Sequence, residues 1–309
     1  MTKLRSTLLA AAATGALAMP AHATCDSVTF SDVGWTDITA TTAVATTVLE
    51  ALDYETTTLV LSVPVTYTSL AAGDVDVFLG NWMPTMEADI APYREDGSVD
   101  TVRTNLEGAK YTLATNAEGA ALGITDFADI GDHADAIDST IYGIEPGNDG
   151  NRLILDMIED DAFGLGDFSL AESSEQGMLA QVQRADRRGE PIVFLGWEPH
   201  PMNANIDITY LSGGDDWFGP DFGGATVHTN TRAGYVDECP NVGQFLRNLE
   251  FTLELENEIM AKILDEDMDP GDAAREWLSA NPGVLDAWLD GVTTRAGGDA
   301  MDAVTAALH

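Results

Sequence analysis

The chain has 309 residues, 45% hydrophobic and 7% aromatic, which is too apolar for a disordered polypeptide and long enough for one large or two ordinary domains. Its 52 Asp+Glu against 14 Lys+Arg give a formal charge of −38. That excludes nucleic acid, whose phosphates need a basic face, and disfavours anionic membranes.

In chain order, Lys3 and Arg5 precede an apolar run at 8–20, and Ala21-His22-Ala23 is a small-x-small cleavage pattern. Residues 1–23 therefore read as an export signal cleaved after Ala23, giving a periplasmic mature protein that begins at Thr24 with a charge of −40. The run is too short to span a bilayer. With only three lysines (Lys3, Lys110, Lys262), the Asp-rich surface suits saline surroundings, where repulsion is screened. Cys25 and Cys239, 214 positions apart, are the only cysteines. In an oxidising compartment an isolated pair is most often a disulfide, two unpaired thiols being the alternative. Zinc is a poor fit, because no His or Cys cluster accompanies them.

The pattern predicts strands at 28–32, 57–63 and 75–79, with a helix over 36–52 and a short one before 75. A strand at 110–114 follows, and then the alternation restarts: strand 141–144, helices 151–160 and 176–188, strand 191–195. Residues 208–211 lead back, and helices are expected at 242–265, 271–280 and 284–289. This is an α/β chain around a mostly parallel sheet, divided into one discontinuous lobe, 24–112 plus 205–309, and an inserted lobe, 113–204. Ligands of such folds sit in the cleft, at strand C-terminal ends.

Aromatics placed just after predicted strands carry the chemistry: Trp35 in Val33-Gly-Trp-Thr-Asp37, Trp82 in Gly80-Asn-Trp-Met-Pro84, and Trp197 in Leu195-Gly-Trp-Glu-Pro199. Tyr111 falls at the expected crossover between lobes. Trp217, Trp277 and Trp288 lie in an acidic loop or in helices and read as packing residues. A tryptophan in a Gly-flanked loop has little core to fill, so three in equivalent positions point to a ligand. Converging ring faces suit a quaternary ammonium, which has no N–H to donate yet gains about 0.5–2 kcal/mol per ring. Asp37 offers a counter-charge, or else an N-cap for the following helix. Gly147-Asn148-Asp149-Gly150 offers a polar handle and backbone N–H groups.

The segments Phe30-Ser-Asp-Val-Gly-Trp-Thr-Asp-Ile-Thr39, Val75-Asp-Val-Phe-Leu-Gly-Asn-Trp-Met-Pro-Thr-Met-Glu87, Tyr142-Gly-Ile-Glu-Pro-Gly-Asn148 and Phe194-Leu-Gly-Trp-Glu-Pro-His200 resemble the substrate-binding proteins of ABC importers for quaternary amines, the glycine betaine/choline group. The resemblance covers essentially the whole mature chain. It implies a two-lobed type II periplasmic-binding fold that closes on its ligand. It also implies an aromatic box on Trp35, Trp82, Tyr111 and Trp197, with the choline hydroxyl held by Asp37 and Asn148. Cys25 and Cys239 match the family's disulfide. Choline is the expected ligand, with acetylcholine or betaines as further candidates, an inner-membrane ABC permease as partner, and a monomer as the expected state. No cofactor or metal is implied.

Two other readings are weighed. A glycine betaine or dimethylsulfoniopropionate binder of the same family would hold a carboxylate, which wants donors, whereas Asp37 and Asn148 suit a hydroxyl. A choline-ester hydrolase would need a nucleophile–base pair, and no Gly-x-Ser-x-Gly elbow, His-Glu-x-x-His or P-loop is present. His200, between Pro199 and Pro201, reads as a structured loop residue rather than a base. Asp265, Asp267, Asp269 and Glu276 mimic calcium-loop spacing, but Pro270 replaces the required glycine. Asp269-Pro270 reads instead as an N-cap and first helical residue.

Overall fold

The computed structural model describes residues 25–309, so the export signal read at 1–23 and the start at Thr24 lie outside the described residues. The strands are Ser27–Asp32 (β1), Glu55–Val60 (β2), Val77–Met83 (β3), Val99–Asn116 (β4), Thr140–Tyr142 (β5), Ser169–Ala171 (β6), Val193–Glu198 (β7), Ile208–Tyr210 (β8) and Gly224–Arg232 (β9). They form one sheet in the order β2-β1-β3-β9-β4-β7-β5-β6, with β8 also on β4. Its two ends are parallel, through β2-β1-β3 and β7-β5-β6. Its centre is antiparallel, through β3-β9, β9-β4 and β4-β7.

The expectation of a mostly parallel sheet is therefore corrected. β9 escapes a hydropathy reading because Thr229, Asn230 and Thr231, all fully buried, are polar. β4 is far longer than the 110–114 read from its apolar run. That length positions the site. Lys110 pairs both with Gly224 on β9 and with Glu198 on β7, so β4 passes from one half of the sheet to the other beside Tyr111.

The helix Thr36–Ala51 (α1) starts two residues after Gly34, whose φ of +84° turns the chain out of β1. It packs Ile38, Val44, Val48 and Leu49 into the core. A Cβ at Gly80 would lie 2.7 Å from the Ile38 side chain, so only glycine lets β3 approach α1 this closely. The strand expected at 57–63 ends at Val60, and Val63-Pro64 instead open the helix Val63–Ala72, a helical first turn being where proline fits best.

The helix expected over 242–265 is two, Pro240–Asn248 and Leu253–Leu264. Thr252 starts the second by accepting from the Leu255 N–H at 3.1 Å, while the Phe251 N–H is drawn off to the Asn105 carbonyl at 2.7 Å. Asp269 caps Pro270–Ala280, accepting from the Gly271 and Asp272 N–H groups at 2.9 and 3.3 Å, the role read for it in preference to a calcium ligand. Trp277 and Trp288 are buried packing residues, each with its indole N–H satisfied, by Glu258 and by the Glu250 carbonyl. Among the described residues no helix is long and apolar enough to cross a membrane.

Cys25 and Cys239 form a disulfide with a Cα–Cα distance of 5.6 Å, resolving the pair in favour of a bridge. It closes a loop of 214 residues, for which loss of chain entropy in the unfolded state amounts to about 5 kcal/mol. Replacing both cysteines by serine is expected to lower the melting temperature by several degrees or more. An unchanged melting curve refutes this.

Candidate functional site

Trp35 stands at the N-cap position of α1, Trp82 near the end of β3, Tyr111 on β4 and Trp197 near the end of β7. Trp82 and Trp197 thus lie inside strands rather than after them. Both strands run on through glycines, Gly80 and Gly196, that a sequence reading takes for strand ends. Tyr111 and Trp197 are direct cross-strand partners. The ring centroids of Trp82 and Tyr111 are 6.0 Å apart, and those of Tyr111 and Trp197 are 6.4 Å apart and nearly perpendicular.

The four rings, with Asp37, Asn148 and Ile144, line one small cavity of about 20 Å³. No ring is more than 5% exposed, so the cleft is shut.

Each ring is held in place by its neighbours. The Tyr111 hydroxyl donates to Asn148 Oδ1 at 2.8 Å. Asn148 in turn caps the helix Asp149–Glu159, which starts before the expected 151, by accepting from the Asn151 N–H at 3.0 Å. A Cβ at Gly150 would fall 2.1 Å from the Tyr111 oxygen, so glycine is needed for this approach. Phe218 packs edge-on against Tyr111 at 6.0 Å. The Trp35 indole donates to Glu145 Oε1 at 2.6 Å.

Asp37 is not the N-cap of α1. Helical structure already begins at Thr36, so Asp37 lies in the first turn with its side chain on the cavity wall. Its Oδ2 accepts from the Trp82 indole N–H at 3.1 Å, and its Oδ1, buried, has no partner. Burial pushes its pKa up to about 8, helped by the Glu175 carboxylate and opposed by the Ile38 backbone and the Trp82 N–H. Behind it, burial and the Asp37 charge hold Glu256 well above the usual carboxylate range. A bare, buried carboxylate oxygen is unfavourable by several kcal/mol unless a cation or donor meets it.

His200 is turned away from this cavity. Its Nδ1 accepts from the Met202 N–H at 3.0 Å, which leaves the proton on Nε2, 3.3 Å from Glu175 Oε1. Among the described residues no group of three or more His, Cys, Asp or Glu side chains is placed to hold a metal.

Ile144, Glu145, Glu175 and Phe218 were not singled out from the sequence. Ile144 and Glu145 fall inside the Tyr142–Asn148 segment and were within reach. Glu175 reads as an ordinary acid in a helix's first turn, and nothing local distinguishes it.

Two lobes sharing one sheet, with a ring-lined ligand cleft beside the strand that passes between them, define the type II periplasmic-binding fold, a class that closes on its ligand. The OpuAC family, described as the substrate-binding domain of ABC-type glycine betaine transport systems, matches residues 26–280, and the chain belongs to it. A structure described as an ABC-transporter choline-binding protein in complex with choline is 70% identical, with a TM-score of 0.91 over 92% of this chain and 99% of that one. A choline-binding protein in an unliganded semi-closed conformation, also 70% identical with the same coverage, superposes at 0.85. The lactococcal OpuAC closed on glycine betaine is 25% identical, with a TM-score of 0.76 over 85% of this chain and 99% of that one.

Proposed function

We infer that this chain captures choline between its lobes and delivers it to the permease of an ABC importer. The observation that carries this reading is the unpartnered Asp37 Oδ1 on the wall of a small cavity lined mostly by ring faces. The rings attract a cation that has no N–H of its own, and the free oxygen can accept from a hydroxyl. Choline supplies both within a compact frame. The box is Trp35, Trp82, Tyr111 and Trp197, with Asp37 and Asn148 as polar partners.

The lobes are assigned as 24–112 plus 205–309 and 113–204. The protein is read as periplasmic, released by cleavage after Ala23, and monomeric. No catalytic role is assigned: the buried His200 is committed to Met202 and Glu175, and the residues lining the cavity include no serine, threonine or cysteine.

A second reading, glycine betaine, is favoured by one observation. A carboxyl whose pKa is about 8 can hold a proton near neutrality and donate to a ligand carboxylate. Calorimetry with choline, acetylcholine, glycine betaine and dimethylsulfoniopropionate separates these readings. For choline, a ceiling of about −1.5 kcal/mol per heavy atom caps binding near −10 kcal/mol. Four partly desolvated rings supply roughly 4–8 kcal/mol of it. The expected Kd is micromolar or tighter. Tighter binding of betaine than of choline reverses the assignment, and turnover of a choline ester replaces it with the hydrolase.

A further inference from the structure

Helix α1 lacks a cap of its own. Its N-cap residue is Trp35, which makes no side-chain cap hydrogen bond. The missing acceptor comes from far along the chain: Glu175 Oε2 accepts from the Thr36 N–H at 2.8 Å, and Glu175 Oε1 accepts from the Thr36 hydroxyl at 2.5 Å. Glu175 opens the helix Glu175–Arg188, whose own N-cap is Ser174, so its carboxylate is not needed there. The His200 Nε2–H, oriented by the Met202 N–H on Nδ1, approaches Glu175 Oε1 at 3.3 Å and holds the carboxylate in line. Both side chains are almost completely buried.

Thr36 belongs to the 24–112 segment, and Glu175 and His200 to the inserted one. We propose that Glu175 is the closing latch of the cleft, capping α1 from the opposite lobe when the lobes meet and setting how long the ligand is retained. This rests on the two-lobe, choline-capturing reading above. In an open cleft Thr36 and Glu175 both return to water, so the contact favours only the shut state. Three donors converge on the carboxylate: the Thr36 N–H, the Thr36 O–H and the His200 N–H. An amide at position 175 would turn its NH2 against one of them. The latch also has a chemical bias. Glu175 lies close enough to Asp37 to raise its pKa, and among the described residues no lysine or arginine pairs with either. Near neutrality the empty shut cleft therefore keeps a proton on Asp37, and a cation between the rings takes that proton's place.

The test is stopped-flow tryptophan fluorescence on the mature chain, with solution scattering at saturating ligand and melting curves without ligand. Glu175→Gln is expected to raise the choline dissociation rate at least about tenfold, with association within about threefold of wild type. Saturated samples of this variant should also be less compact. Thr36→Val, which removes one donor, should raise dissociation by a smaller factor, and Thr36→Ser should restore it. The unliganded melting temperatures should not differ. A wild-type dissociation rate in Glu175→Gln overturns the proposal. So does an unliganded melting temperature that falls as far as the liganded one, because Glu175 would then brace its own lobe. If wild type binds betaine and not choline, the choline assignment fails alone, and the same rates measured with betaine decide the latch.

Discussion

Trp82→Ala is expected to weaken choline binding by at least about 100-fold, equivalent to some 2.7 kcal/mol. Three losses coincide at this position. One ring face disappears, removing about 1–2 kcal/mol of attraction in a desolvated site. The indole N–H that meets Asp37 Oδ2 at 3.1 Å goes with it, leaving both carboxylate oxygens without a side-chain donor. The Tyr111 ring, 6.0 Å away, then faces a void into which it can tilt. Trp82→Phe separates these terms: it keeps a face and removes the donor, so it should lose less. Trp197→Ala removes a face and no Asp37 donor, and should weaken choline at least about tenfold. Calorimetry on the three variants reads the order directly. Wild-type affinity in Trp82→Ala would mean that the cavity is not the binding site.

Raising the pH from 6 to 8 is expected to increase the ratio of choline to glycine betaine affinity, by up to about tenfold per pH unit, the limit for linkage to one proton. The sign follows from Asp37, whose pKa in the shut, empty cleft is about 8 because of burial first and Glu175 second. A group with a raised pKa favours the state holding it while protonated, and that advantage is lost as pH rises through the shifted value. The empty shut form is therefore most favourable at low pH, where a proton takes the place of the ligand's charge. Choline must expel that proton, so its affinity falls as pH drops below about 8. Betaine is served by the proton: two carboxylates about 4 Å apart at an effective dielectric near 20 repel by roughly 4 kcal/mol, and protonating one removes this. Glu175 adds to its preference for neutrality, and burial with the Asp37 charge holds Glu256 well above the usual carboxylate range. Asp37→Asn removes the titration. It should weaken choline, leave betaine unchanged or better bound, and flatten the ratio across the range. A ratio that stays constant in wild type would show that Asp37 does not select between the two ligands.

Much of the candidate site was legible in the sequence. A quaternary ammonium cannot be held by hydrogen bonds to its nitrogen, so its receptor must spend aromatic side chains in places where they fill no core. Trp35, Trp82 and Trp197 betray themselves by their glycine and proline neighbours, which are local features. The structure brings these three together with Tyr111, Asp37 and Asn148 around one cavity. β1, β2, β3, β5, β7 and α1 were legible for the same reason, since apolar periodicity is written into consecutive residues, whereas the three-residue edge strand β6 was not read. Strand ends were misplaced where glycines lie inside the strand, as at Gly80 and Gly196. The central β9 was missed because its most deeply buried run is Thr229, Asn230 and Thr231, the first two satisfied by partners that hydropathy does not see.

The sequence by itself determined the chemistry: an exported, acidic α/β chain with two cysteines and a set of displaced tryptophans suited to a small organic cation. Tertiary structure alone decided how that chemistry is tuned. Glu175 meets Thr36 across 139 residues and Glu145 meets Trp35 across 110. Neither pairing leaves a local trace, because a hydrogen bond between distant segments constrains neither neighbourhood. Asp37 shows the same division. Its identity as an acid beside Trp35 is a fact of sequence. Its titration near 8 depends on how much water the fold removes and which carboxylates it brings near, and these are properties of the closed cleft alone.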